Sequence, residues 1–545
     1  MSSSYPSVTG RAAPARHPVV LARRGSERAL LVLVGVLVPL AAALAISYEM
    51  PTPGIGTVAE VAAALAGLVA VVALATSRRY TVTLTLLMLY LGLLDGPVKL
   101  LTSSRYFSGV RDVLILAVAI GMLARLPLKQ QRISLPPLSG WVLGFAALVV
   151  VEALNPNTGG FLKSVGGYRQ ELEFVPLFFF GYAIVRSKQR LRQLFLLLGV
   201  IALANGVVGA VQYRLSPAAL GRWGPGYNER VAGKHGRTYK AEGSAHSRPP
   251  ALGSDAGFGG GVGTIALPGL IALLNTGALR RRWPVLLCSA GALLGVATAA
   301  SRSSLVDLLV VLASFVLLSM LARLRLTRAL SGLLMVVALA FGVAGVLVAV
   351  EGSGVFKRQA SIEHAINGVS SEASGAEGEE AEGGGDAKVK HLNQIPSVIA
   401  NEPFGLGLGV AGSVAGLGGK QEKTIEEQKV SGGSAFNLLA VELGLPGLLL
   451  WVGFSISVLA LALARLRRVQ DVELRTYLVA IVAAFTMLTV EGFVGPTLAV
   501  TPAGAYLWFA PGVLAYWLAG PGRSAMAGKL GAGAGGLAAR LAPST

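Results

Sequence analysis

Three arginines stand beside long apolar blocks, where a charged side chain is costly unless it has a partner or a task. Arg302 lies in ATAASRSSLVD, at the turn between two apolar segments. Arg248 lies in SRPPALGSDAGFGGG and Arg169 in GGYRQELEF, each just before another apolar segment. A guanidinium stays charged and grips phosphate oxygens with a planar fork of donors. Three of them at one face suit a diphosphate, and they need no metal to stabilise charge developing on a leaving pyrophosphate. Each also has a plainer explanation. Asp307 is a partner for Arg302, although five residues is a poor helical spacing, because side chains three or four apart meet. Glu173 follows Arg169 by four residues, a good spacing for a local pair. Arg248 fits a solvated loop.

Other chemistry is missing. There is no GxxxxGK[ST] phosphate loop, no HExxH and no close histidine pair, so neither an ATP-driven pump nor a zinc hydrolase is indicated. GxGxxG occurs at Gly407–Gly412 and Gly531–Gly536, in neither case after a strand of a βαβ unit, and flexible loops explain both. One cysteine, Cys288, excludes a disulfide framework and a cysteine-rich metal site. Glu60, Asp112 and Asp307 fall within or at the edge of apolar blocks and need partners there; in a transporter they would carry ions.

The elements that must position these residues are membrane helices. Of 545 residues, 53% are hydrophobic and only 14% charged, well under the roughly 25% charged of soluble proteins. The apolar residues fall in long blocks. A span needs about 20 apolar residues, and about fourteen blocks qualify, from 29–47 to 502–519, those at 80–95 and 173–186 being the shortest. With the N-terminus inside, the inner segments hold 27 of the 47 Lys and Arg. The net charge of +19 is then a topology signal. It needs no nucleic acid to explain it.

The expected fold is all-α, a polytopic transmembrane bundle. A basic cytoplasmic tail (1–28) precedes N-terminal spans (29–213), an extracytoplasmic loop (214–260), core spans (261–350), a large extracytoplasmic loop (351–435), C-terminal spans (436–519) and a flexible cytoplasmic tail (520–545). Within the large loop, the Gly/Ser/Glu run 370–386 cannot bury a core and is expected to be disordered. Its flank 388–401 spaces apolar residues as a helix lying on the outer membrane surface would.

Four stretches together resemble the bacterial O-antigen ligase and O-antigen polymerase family of membrane glycosyltransferases. They are SRPPALGSDAGFGGGVGTIALPGLIALL, ATAASRSSLVDLLVVL, IPSVIANEPFGLGLGV and SAFNLLAVELGLPGLLLWVGF, in the family's order and with its large loop, over about 160–465. The resemblance implies a C-type glycosyltransferase fold in the bacterial cytoplasmic membrane. It implies transfer of a glycan from a polyprenyl diphosphate carrier to a hydroxyl of a glycan or lipid-linked acceptor at the outer face. It makes Arg302, Arg248 and Arg169 diphosphate ligands, calls for no cofactor or metal, and admits envelope-biosynthesis proteins as partners.

The chain departs from the family at one place. Ligases carry a His-Asn pair nine and eight residues before the glutamate of E-x-G; with Glu442 in that role, Gly433 and Ser434 stand here. This shifts the expectation from a lipopolysaccharide-type ligase towards a polymerase or ligase-like transferase. A general base must reach the acceptor hydroxyl, and His391, Glu402, Glu442 and Glu491 are the outer-side candidates. Glu442 is equally explained as a helix-start carboxylate facing the amide dipole. A secondary transporter or lipid-linked glycan flippase is the rival reading. A non-catalytic envelope-assembly membrane protein is the third.

Overall fold

The computed structural model describes residues 80–102, 110–123, 135–158, 160–232, 238–241, 244–351, 395–415 and 434–521. The blocks at 29–47 and 57–76, the run 370–386, His391, the tail 1–28 and the tail from 522 onward lie outside them.

Apolar runs with short interruptions produce helices throughout. The first is α1 (Tyr80–Leu89), continued through a π turn (Tyr90–Leu94) into α2 (Asp95–Thr102). Then come α3 (Val110–Leu123), α4 (Ser139–Glu152), α5 (Phe161–Leu172), α6 (Pro176–Ile184), α7 (Lys188–Arg214) and α8 (Pro217–Gly221). A short antiparallel pair, β1 (Thr238–Ala241) with β2 (Ser244–Ser247), pairs Thr238 with Ser247. After it follow α9 (Phe258–Thr276), α10 (Trp283–Thr298), α11 (Arg302–Leu321), α12 (Leu326–Glu351) and α13 (Ile395–Asn401). The last are α14 (Ala435–Leu466), α15 (Val472–Glu491) and α16 (Ala503–Leu514), the latter running into a π turn (Ala515–Ala519). Side chains cap several starts: Ser187 accepts from the Arg190 N–H, Ser434 from Asn437 and Asp471 from Leu474.

Seven of these helices are long and apolar enough to cross a membrane: 81–101, 188–214, 258–276, 303–321, 330–347, 435–466 and 472–491. The blocks at 109–126, 138–154, 173–186 and 283–300 form helices of 14, 14, 9 and 16 residues, short of the roughly 20 a perpendicular span needs. The block at 80–95, expected to be short, instead continues to Thr102 across its π turn.

Exposure sorts the long helices. The apolar window of α9 is 89% buried, that of α12 only 17%. The outer helices turn Leu309, Leu334, Phe341 and Ile456 outward, as side chains do when their surroundings are lipid rather than water. The core forms where α9 packs on α7, α10, α11 and α15. Glycine lets the backbones approach closely there: a Cβ at Gly206 would strike the Gly291 carbonyl, and one at Gly295 would meet the Gly259 carbonyl at 2.7 Å.

The block at 436–463 holds a break. Gly444 sits at φ 61°, ψ −156°, and Pro446 follows two residues later. At 1.5 Å per residue, the 32 residues of α14 would otherwise overshoot a hydrocarbon layer of about 30 Å. The break sets a wholly buried first segment, Ala435–Leu443, apart from the long second one.

Candidate functional site

The four stretches that carry chemistry in the sequence pack as two pairs, 247–274 with 297–312 and 395–410 with the start of α14, linked through neighbouring segments. The segment after Arg248 is held by two amides of α7. Gln212 donates to the Ala251 carbonyl at 3.0 Å and accepts from the Ala251 N–H at 2.7 Å. Asn205 accepts from the Leu252 N–H at 3.0 Å and donates to the carbonyls of Gly92 and Ile201. Arg248 is half-buried at the start of this segment. Gly257 then leads into α9, where the backbone of Gly260 lies against Ala299 and Ser304. This contact brings the starts of α9 and α11 together. Arg302 is the first residue of α11, just after Ser301, whose hydroxyl lies 2.7 Å from that of Ser303.

Arg169 enters a network of three cations and three carboxylates. Lys99 bonds Asp95 at 2.8 Å within α2, and Arg111 reaches Asp95 at 3.6 Å. Arg111 also forms a two-pronged pair with Glu173: Nη2 donates to Oε2 at 2.6 Å and Nε faces Oε1. The Phe174 ring lies 5.2 Å from its guanidinium carbon. Arg169 pairs with Asp112. The local Arg169–Glu173 pair allowed by spacing therefore gives way to two pairs across helices. Arg111, which the sequence reading passed over beside Asp112, is the centre of the network. The network adjoins the Arg248 segment through Gly96, next to Asp95, because a Cβ there would strike the backbone of Leu252 and Gly253. The three arginines thus belong to neighbouring segments at the same end.

Glu442 occupies a different position from a base beside solvent. Its Oε1 accepts from the N–H groups of Gly409 and Ala411, at 3.1 and 3.2 Å, and from Gln170 at 3.4 Å. The side chain is fully buried. Leu406 N–H donates to the Val441 carbonyl and Leu445 N–H to that of Pro403, so the glycine-rich stretch is seated on the start of α14. Gly409, at φ 73°, abuts the Lys163 backbone, and any side chain there would collide with it. The GxGxxG at Gly407–Gly412 is an ordered loop around a carboxyl group. Ser434 caps α14.

The other base candidates lie nearby. Glu402 is partly exposed, and its backbone closes the last turn of α13 through the Val398 carbonyl. Glu491 ends α15 and is partly exposed; Gly492 and Gly495, just beyond it, accept from the N–H of Ala435. In the flank 388–401, the described part is α13, whose Val398 inserts among Val410, Leu438 and Val441. That packing seats α13 on the bundle. Pro502 completes the end, touching the Gly261 position of α9.

Helix α5 supports the loop from the other side. Lys163, Gly166, Gly167, Gln170 and Glu171 are buried, a helical stripe that is polar. Phe161, Leu162, Val165 and Tyr168 point outward. A helix at the edge of a membrane has this inverted arrangement.

The opposite end carries a second network. Lys188 bonds Asp471 at 2.7 Å and Glu473 at 3.2 Å, while Glu473 also receives Arg192 and the Tyr477 hydroxyl. Burial alone would raise the Asp471 carboxyl, but Lys188 and the Leu474 N–H hold it below the usual aspartate value. Arg467 and Arg475 donate to the last carbonyls of α11 and to Ala322.

Among the described residues no group of three or more His, Cys, Asp or Glu is placed to hold a metal ion. No protein-family model, curated protein or solved structure matches this chain.

Proposed function

We propose that the chain is a membrane glycosyltransferase that moves a glycan from a polyprenyl diphosphate carrier to an acceptor hydroxyl, in the manner of the O-antigen ligase and polymerase enzymes it resembles. The observation that supports this reading is the packing of the four stretches that carry the resemblance into two pairs linked by the Arg169 network and its neighbours. Arg302 and Arg248 head segments packed on one another, and Arg169 lies in the adjoining network. In this reading the guanidinium groups bind the diphosphate and stabilise it as the glycan departs. Glu442, fully buried with Oε1 already taking three donors, organises the loop. The proton of the acceptor hydroxyl then goes to Glu402, Glu491 or His391.

One observation favours the rival transporter reading. Asp95, Lys99 and Arg111 are buried among apolar helices, the setting of ion pathways. Both readings are tested by the glycan profile of a host lacking the gene, complemented with wild type or with Arg302→Ala at matched membrane levels. The transferase reading expects collapse of long polymer to single lipid-linked units in the deletion and in the variant. Unchanged polymer, with a solute or lipid-linked unit accumulating on one side of the membrane, refutes it in favour of transport.

A further inference from the structure

At the end that carries the Lys188–Asp471 pair, α11 stops beside the turn between α14 and α15. Arg323, just past α11, sits at φ 55°, the left-handed conformation that ends a helix. The last carbonyls of a helix lack partners within it and carry a partial negative charge. Two arginines take them. Arg467 Nε donates to the Leu321 carbonyl at 2.7 Å, and Arg475 Nη1 donates to that of Ala322 at 3.0 Å.

Capping uses one N–H group of each guanidinium, and a guanidinium has five. Arg475 Nε is buried without a partner among the described residues, and so is Nη1 of Arg465, in the last turn of α14. The carboxylates at the turn, Asp471 and Glu473, are already bonded by Lys188 and Arg192. Positive charge and donors are therefore left over where α11 and α14 end.

A groove runs inward from these arginines. Leu318, Leu321 and Ala322 line it from α11, and Leu463, Leu466 and Arg467 from α14. It measures about 440 Å³, within the range of roughly 300–1,000 Å³ for small-ligand clefts. Both helices end here, so the leucines lie inside the ends and Arg467 lies at the rim. Leu463 is exposed, as are Leu317 and Met320 beside the groove, which opens it on a face that suits lipid.

An occupant must be apolar along the leucines and anionic at the helix ends. A phospholipid with net negative charge carries those two parts in that order, and the bilayer delivers it at this depth. A peptide strand would leave its backbone groups unpaired against the leucines.

We propose that this groove binds an anionic phospholipid, its phosphate on Arg467 and Arg475 and one acyl chain along Leu318 and Leu463. Basic pockets between membrane helices hold such headgroups. The site does not depend on the proposed enzyme activity.

Photocrosslinking tests the site on the full chain in phosphatidylcholine nanodiscs. The probe is a trace of phosphatidylglycerol carrying a diazirine on an acyl chain, and labelled peptides are mapped by mass spectrometry. Label should concentrate on the peptides holding Leu318 and Leu463, and excess unlabelled phosphatidylglycerol should remove it. A basic residue near the headgroups contributes about fivefold to anionic-lipid binding. Arg467→Gln should therefore lower the label about fivefold, and Arg467→Gln with Arg475→Gln at least tenfold or so, while label at Leu334 on the outer face of α12 stays constant. Leu463→Trp, at an exposed position, should fill the groove and lower the label with the arginines intact. Equal labelling by a diazirine phosphatidylcholine overturns the proposal, because the headgroup would then play no part. So does label spread evenly over the outer helices. Displacement by inorganic phosphate as effective as that by phosphatidylglycerol also overturns it, in favour of a free anion. If the variants do not fold, the wild-type comparison of the two headgroups decides alone.

Discussion

Replacing Glu173 by leucine tests whether the cross-helix charge network carries the stability of the site end. The side chains of Arg111 and Glu173 are 9% and 4% exposed and meet through two contacts. Removing one partner of a buried pair strands the other charge and costs about 3–5 kcal/mol. Arg111 would keep Asp95 at 3.6 Å and Asp112 at 3.7 Å, which places the expected loss near the lower bound, about 3 kcal/mol. Combining Glu173→Leu with Arg111→Met removes both charges and leaves Asp95 paired to Lys99 at 2.8 Å. The double variant should lie within about 1 kcal/mol of wild type, a remainder of the size expected for losing the guanidinium over Phe174. The coupling between the two sites should then be about 2 kcal/mol or more. Reversible unfolding in mixed micelles, titrated with a denaturing detergent, measures all four corners of the cycle. A single-variant loss below about 1 kcal/mol with no coupling would show that the pair is solvated, and the reasoning from burial would fall.

Three other perturbations separate local terms. Gln212→Leu strips both partners from Ala251 and should cost about 2–3 kcal/mol; faster hydrogen exchange in a peptide covering 251–257 would report the loosened segment, and an unchanged rate would place its anchor elsewhere. Ala251 sits at φ 55°, so Ala251→Gly should raise stability by up to about 1 kcal/mol in the same unfolding assay. At the opposite end, Lys188 and Asp471 are each 39% exposed, and Lys188→Ala should cost no more than about 1 kcal/mol. Because Asp471 is held below its ordinary value, the contribution of its charged form is present at neutral pH and disappears as pH falls below about 4. The wild type and Lys188→Ala should therefore converge in acid, and a gap that persists there would refute the pairing.

Much of this organisation is visible in the residue order. The excess of apolar residues and the scarcity of charge mark a membrane protein, because hydrocarbon accepts little else. Helix starts are marked as well: Ser187, Ser434 and Asp471 stand where a side-chain oxygen can cap exposed N–H groups. Gly444 and Pro446 announce a break, although the apolar run around them masks it. The arginine-bearing stretches stand out because charge next to apolar blocks needs an explanation.

Partner choice is another matter. Spacing offers Glu173 to Arg169, yet Arg111, 62 residues before Glu173 in the chain, takes it. Spacing presents Glu442 as a helix-start carboxylate, yet it is the centre of a loop 31 to 33 residues earlier. The polar stripe of α5 has the periodicity of any amphipathic helix, and only its neighbours decide that this stripe faces inward. The physical reason is common to all three. Hydropathy, capping and spacing act within a few residues and can be read along the chain. The energy of a charge depends on which opposite charge and how much water lie within a few ångströms, and packing alone determines that.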